Sequence, residues 1–174
     1  VEAAPSDQVI LLPNNGNIVA AALQLPGLTD KDVRVVPTRS VQAGIAAVFT
    51  FSPASTLDGN ASVMSDVAGD VRSGSVTRAV RDAVVSGREV ATGDVMALVN
   101  GELVSVTDDP LSALLEMVKI STDKSELVTV YTGADFDGSN AGEALDAVQA
   151  VAGDAEVELV SGGQPHYTFL VAFE

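Results

Sequence analysis

The chain predicts an α/β protein, and three observations carry that prediction. A continuous apolar run of strand length, Val9-Ile10-Leu11-Leu12, passes through the polar bend Pro13-Asn14-Asn15-Gly16 into a small-residue helix that starts near Asn17. The unit repeats at once, as Val33-Arg34-Val35-Val36, the corner Pro37-Thr38-Arg39-Ser40 and an apolar helix from Val41. From about residue 75 the period becomes that of antiparallel strands, and Asn100-Gly101 joins Val95–Val99 to Leu103–Val106 as a hairpin. The expected architecture is therefore an N-terminal parallel βα lobe over residues 1–74 and a C-terminal α+β lobe, with an antiparallel hairpin, over residues 75–174.

In chain order, Leu25-Pro26-Gly27 stops the first helix. The helix from Val41 to Phe51 is apolar on nearly every side, at Val41, Ile45, Val48, Phe49 and Phe51, which predicts burial. Pro53 ends it, and Leu57, Met64, Val67 and Val71 fall at helical spacing, predicting a third helix over 57–73. Val76, Ala79-Val80 and Val84-Val85 read as strands, with a turn at Ser86-Gly87. Asp109-Pro110 caps a helix that carries Leu111, Leu114, Leu115 and Val118 on one face, and Leu127–Tyr131 resumes the βα pattern. Asn140, followed three residues later by Glu143, reads as a capping box for a helix with Leu145, Val148 and Val151 inward and Gly153 at its end. The segment Val157–Val160 is expected to pair with Thr168–Phe173 across Ser161–Pro165.

Composition narrows the function. The 174 residues are 47% hydrophobic, enough for one domain or two small subdomains. There are 24 acidic against 9 basic side chains, and a net charge of -15 repels nucleic acid and anionic membranes as partners. The absence of cysteine removes disulfides, thiolate-ligated zinc and thiol redox chemistry, and it fits a cytoplasmic setting. No apolar run approaches the roughly 18 residues of a membrane span, so none is expected. The N-terminus lacks the pattern of a signal peptide, and a chain that opens on Val1 is expected to be a fragment of a longer one.

The candidate sites are few. Asn14, Asn15 and Asn17 with Thr38, Arg39 and Ser40 lie at two successive βα corners; if the strands are adjacent and parallel, they form one polar crest able to hold a polar or anionic group. The plainer reading makes Asn17 the helix N-cap and Asn15-Gly16 a turn with positive φ. Neither GxGxxG nor GxxxxGK[ST] is present, which disfavours a nucleotide held by either route. Arg72, Arg78, Arg81 and Arg88 place four of the nine cations within 17 residues, either receiving an acidic partner or phosphate or paired with Asp70, Asp82 and Glu89. Strand alternation would put Arg78 and Arg81 on opposite faces. His166 is the only histidine and follows Gly162-Gly163-Gln164-Pro165, a turn that would expose it. No serine or cysteine has the setting of a nucleophile, so no catalytic residue is expected. Asp135–Asn140 resembles a calcium loop without its terminal glutamate, so no metal is expected.

Four stretches together resemble one family: residues 9–18, 35–44, 74–82 and 162–167. Their order and spacing are similar to the C-terminal region of bacterial dihydroxyacetone-kinase-like proteins of the YloV type, the A subunit of fatty acid kinase. That resemblance runs essentially end to end, and it implies a fold shared with DegV proteins and the dihydroxyacetone-binding kinase subunit. It also implies that ATP and magnesium are held by an N-terminal helical domain with no counterpart in these residues, so no cofactor is assigned to this fragment. The implied partner is the fatty-acid-carrying B subunit, itself a DegV relative, with Asn14, Asn15, Asn17, Thr38, Arg39, Arg78, Arg81, Gln164 and His166 as the candidate ligand or partner-binding residues. Dihydroxyacetone-binding relatives trap substrate with a histidine; His166 stands where this family more usually has an apolar residue, which argues against sugar capture. The leading expectation is a non-catalytic docking module. The alternatives are the substrate-binding subunit of a small-molecule kinase, of the dihydroxyacetone type, and a homodimerisation domain.

Overall fold

The structure, a computed structural model, describes residues 1–123 and 125–174. It divides into two units, Val1–Val71 and Arg72–Glu174, each with its own core.

The first unit is built on two parallel strands, β1 (Gln8–Leu11) and β2 (Asp32–Val35), in the register Val9 to Val33 and Leu11 to Val35. Between them runs α1 (Gly16–Ala22), closed by a 3-10 turn at Leu25–Gly27 where the proline ring forbids continuation. After β2 come α2 (Val41–Phe49), whose N-cap Ser40 accepts from the Ala43 amide at 3.1 Å, and α3 (Leu57–Asp70), capped by Thr56. Val36, Ala47 and Met64 form the buried centre, with Ile10, Leu12, Ala61 and Ala68 against it. The two βα corners predicted from the sequence are present and adjacent.

Burial of α2, in contrast, is not what the structure shows. Its inward residues are Gln42, Ala43, Gly44, Ala46 and Ala47, whereas Val48 and Phe49 are 56% and 85% exposed. The reason is space: a Cβ on Gly44 would lie 2.1 Å from Asn14 Oδ1, so the helix approaches the first corner too closely for large side chains on that face. The helix also ends at Phe49, with Thr50 as its C-cap, rather than at Phe51.

The second unit holds a six-stranded sheet in the order β7-β6-β3-β10-β8-β9. Its strands are β3 (Arg72–Arg78), β6 (Val95–Val99), β7 (Glu102–Thr107), β8 (Leu127–Thr132), β9 (Glu156–Ser161) and β10 (Tyr167–Phe173); a separate ribbon joins β4 (Ala83–Val85) to β5 (Arg88–Val90). Asn100 and Gly101 have φ of 50° and 85°, the two left-handed residues that a tight twisted hairpin requires, and Ser86 and Gly87 repeat the device between β4 and β5. The helices α4 (Pro110–Ser121) and α5 (Ala141–Val151) pack together and against this sheet. Leu114, Met117, Val118 and Val148 meet Val76, Val128, Val130, Phe169, Val171 and Phe173 in one apolar cluster. The Asp109 side chain accepts from the Ser112 amide at 2.8 Å, capping α4 as its Asp-Pro start predicts.

Two local expectations are corrected. β9 does not pair with β10: β8 lies between them, parallel to β9 and antiparallel to β10, because the βα crossover through α5 returns β9 to the outer side of β8. Asn140 makes no side-chain cap for α5; Asp137 instead caps a 3-10 turn at Gly138–Asn140 that leads into the helix, accepting from the Ser139 amide at 3.0 Å. That use of Asp137 also accounts for the calcium-like sequence around it as turn chemistry.

Candidate functional site

The crest in the first unit is real, and its wiring differs from the plainer reading. Asn15, not Asn17, is the N-cap of α1: its backbone is extended and its side chain accepts from the Asn17 amide at 2.9 Å. The left-handed residue is Asn14, with φ of 55°, a conformation that asparagine tolerates better than most residues. That geometry turns the Asn14 amide N–H onto Thr38 Oγ1 at 3.0 Å, so the two corners are stitched together by a side chain that is completely buried. Asn14 Oδ1 is itself buried, pressed against Gly44, and has no hydrogen-bond partner among the described residues. Arg39 is exposed, and its guanidinium lies over Gly16, where a Cβ would sit 3.8 Å from Nη1. Asn14, Asn15, Thr38 and Arg39 thus share one edge of the parallel pair, with the exposed Asn17 one residue into α1. Replacing Thr38 with valine preserves volume and strands the Asn14 N–H; destabilisation of about 1–3 kcal/mol in urea denaturation is expected, against near-neutrality for Thr38→Ser.

In the second unit, Gln164 and His166 occupy the β9–β10 connection, folded back over the end of β8. Gln164 Nε2 donates to Tyr131 O at 3.0 Å, its carbonyl accepts from the Ala134 amide at 3.0 Å, and Thr77 Oγ1 donates to His166 O at 2.7 Å. His166 is held at φ of 71° with its side chain exposed. Gln164 is therefore a structural tie and His166 a turn residue whose carbonyl carries the contact.

The arginines do not pair as the charge pattern suggests. Among the described residues the ion pairs are Arg34 with Asp32 and Asp58, and Arg72 with Asp123 at 3.6 Å. Arg72 also lies over the Phe173 ring, 5.8 Å from its centroid. Arg78 donates to Gly93 O at 3.2 Å and Arg88 to Val104 O at 3.4 Å. Arg81 is exposed in the loop after β3, so the strand alternation assumed for it does not apply. Asp82 turns away to accept from both the amide and hydroxyl of Thr92 at 2.7 Å, which holds its carboxyl below the ordinary value of 3.8. An acid held low contributes stability that is complete above its unfolded value and is lost as the pH falls through the folded one. Asp82→Asn is accordingly expected to lower the melting temperature slightly at neutral pH, where the charged contribution is present, and to shrink the further loss below about pH 4, as read from thermal melts across pH.

What the sequence reading missed is the outer face of α2. The signal was present: Ala43, Gly44, Ala46 and Ala47 put the small residues on one side, which marks the closely packed face and leaves the large ones outside.

Among the described residues no group of His, Asp or Glu is arranged to hold a metal ion, and no helix is long and apolar enough to cross a membrane. The class is set by the fold. A DegV-family protein from Corynebacterium glutamicum superposes with a TM-score of 0.66 at 16% identity, over 96% of this chain and 75% of its own. A DegV-family protein from Eubacterium eligens loaded with heptadecanoic acid gives 0.66 at 12% identity, over 97% and 73%. The fatty acid kinase B3 protein of Streptococcus pneumoniae, loaded with linoleic acid, gives 0.63 at 9% identity, over 98% and 72%. This is a DegV-like fold. The chain belongs to the FakA-like C-terminal family, that of proteins similar to the A subunit of fatty acid kinase, and the match covers residues 1–174. Among relatives, uncharacterised proteins of Staphylococcus haemolyticus and Staphylococcus aureus strain MRSA252 are 35% and 34% identical over 175 residues. Each is covered over 32% of its length, so the chain spans about a third of these relatives.

Proposed function

We propose that this chain is the docking module of the A component of a fatty acid kinase. It receives the fatty-acid-carrying B subunit, so that the acyl carboxylate is presented to ATP and magnesium held elsewhere in the longer polypeptide, and an acyl phosphate forms there. The observation that carries the reading is the match of the entire chain to the FakA-like C-terminal family. Two features support it: the candidate residues include no nucleophile with an activating base, and a net charge of -15 turns nucleic acid and anionic membranes away. An ATP-dependent partner reaction also fits a cytoplasmic setting. Immobilised chain should bind the fatty-acid-loaded B subunit saturably and compete for it with the full-length FakA-like protein; a chain that does neither overturns the reading.

A second reading has one observation in its favour, the buried and unpartnered Asn14 Oδ1 at a left-handed corner beside Thr38. A substrate-binding subunit would use that crest to hold a small polar molecule. Titration with dihydroxyacetone, phosphate and fatty acid separates the two, because only this second reading requires saturable binding without a protein partner.

A further inference from the structure

Helix α2 sorts its side chains in reverse of an ordinary surface helix. Val41, Ile45, Val48 and Phe49, at i, i+4, i+7 and i+8, fall within an arc of about 100°. Val48 and Phe49 on that arc are 56% and 85% exposed, with Val41 and, just past the helix, Phe51 exposed beside them. The opposite side, Gln42, Ala43, Gly44, Ala46 and Ala47, is buried. A contiguous apolar surface of this kind marks a face that another molecule covers.

The charges at its two ends indicate what covers it. From Ser40 to Leu57 the chain has no charged side chain; Arg39 stands at one end of this stretch and Asp58 at the other. Arg39 precedes the N-terminus of α2, whereas Asp58 lies in the first turn of α3, beyond the segment that follows the C-terminus of α2. Arg34 pairs with Oδ1 of Asp58, and the Asp58 side chain is still 75% exposed. A patch with a cation at one end, an acid at the other and an apolar centre is complementary to itself when turned end for end, which is what a two-fold contact between identical chains requires. The first unit also carries little of the charge that would oppose such a contact: residues 1–71 hold three basic and seven acidic side chains, a net of -4, against -15 for the whole chain. Charge of that size is largely screened beyond about 8 Å at physiological salt.

We propose that the outer face of α2 is the contact between two copies of this chain, packed antiparallel about a two-fold axis beside Ile45. In that arrangement Val41 and Phe49, four positions before and four after Ile45, oppose one another across the axis, so Val41 of each copy meets Phe49 of the other and Ile45 packs on its own equivalent. Arg39 of each copy reaches the Phe51 and Asp58 end of the other. The ion pair lies at the rim, where it sets register and orientation, while burial of Phe49 supplies the greater part of the affinity. The contact belongs to the first unit alone and does not depend on the docking reading above.

Sedimentation velocity on the chain, over about a hundredfold range of concentration, tests it, and a reversible monomer–dimer equilibrium is expected. The double variant Val48→Asp/Phe49→Asp should keep the circular dichroism and melting curve of the parent monomer, because both side chains are exposed, and should dimerise about 10-fold more weakly or worse. Phe49→Leu should retain most of the affinity, and Val80→Asp, an exposed valine of the second unit, should dimerise as the parent does. Arg39→Asp and Asp58→Arg each set like charges together twice in their own dimers and should weaken association about 5-fold or more; mixed in equal amounts they restore both opposite-charge pairs and should recover the dimer. A parent that stays monomeric would overturn the inference and leave the docking reading standing. A dimer that the double variant does not weaken would overturn the α2 assignment, and one weakened by both charge variants without recovery on mixing would overturn the antiparallel arrangement. A monomeric parent whose binding of the fatty-acid-loaded B subunit is lost in the double variant would give the face to that subunit and likewise overturn the inference.

Discussion

Phe169→Ala is expected to destabilise the second unit by about 3–5 kcal/mol, the range for removing a fully enclosed aromatic ring from a core that cannot collapse around the gap. Phe169 is 1% exposed, sits on β10 in the middle of the six-stranded sheet, and belongs to the same cluster as Leu114, Met117 and Val148. Its ring also meets Phe136 at 5.2 Å between centroids with a 60° tilt, an edge-to-face type of contact that adds to the area term. Relaxation is blocked on both sides, because β10 is hydrogen-bonded to β3 and to β8 and cannot shift towards the cavity without breaking a ladder. Small domains are stable by about 5–15 kcal/mol in total, so the loss takes a large share of the margin. Guanidinium denaturation followed by circular dichroism measures it; Phe169→Leu, which fills most of the volume, should lose less than half as much.

The expected size of that effect reflects how the chain codes its core, and the same logic explains which parts of the fold were legible. The β1-α1-β2 unit, the Asn100-Gly101 hairpin and the capped start of α4 were readable because each is fixed by neighbours in sequence: an apolar run, a dipeptide that accepts positive φ, an aspartate before a proline. Strand order was not, since Val157–Val160 carries no mark to say that β8, rather than β10, will lie beside it. The exposure of Val48 and Phe49 was legible only from the small residues on the opposite side of α2, not from their own hydrophobicity. Hydrophobicity states what a side chain prefers, whereas its direction on α2 was decided by the need of Gly44 to approach Asn14, a contact 30 positions distant in the chain. The site was half legible in the same sense. Two polar corners could be placed on one edge, but that Thr38 would be consumed in holding Asn14, leaving Arg39 exposed, depends on a left-handed Asn14 that no pattern announces.

Gly133→Ala is the second large effect, and its cause is backbone rather than core. Gly133 is buried just beyond β8, and its N–H donates to Thr168 O at 2.8 Å. A Cβ there would lie 2.1 Å from Tyr167 O and 3.0 Å from Gln164 O, both main-chain oxygens that cannot rotate aside. The added methyl must therefore displace the β9–β10 connection bodily, and overpacking against backbone of this kind costs about 3 kcal/mol, the upper end of the usual range. Hydrogen bonds anchored on the same segment are lost with it: Gly162 and Gly163 both donate to Thr132 O, at 3.0 and 2.9 Å, and Gln164 Nε2 donates to Tyr131 O. Amide hydrogen exchange should accordingly show lost protection at Gly162, Gly163 and Ala134 in excess of that explained by the fall in global stability, a regional signature that Phe169→Ala would not give. Gly138→Ala supplies the control. Nothing lies within 4 Å of a Cβ at Gly138, and that variant should stay within about 0.5 kcal/mol of the parent. A Gly133→Ala protein as stable as the Gly138→Ala one would mean that the connection carrying Gln164 and His166 does not close over the end of β8 as described.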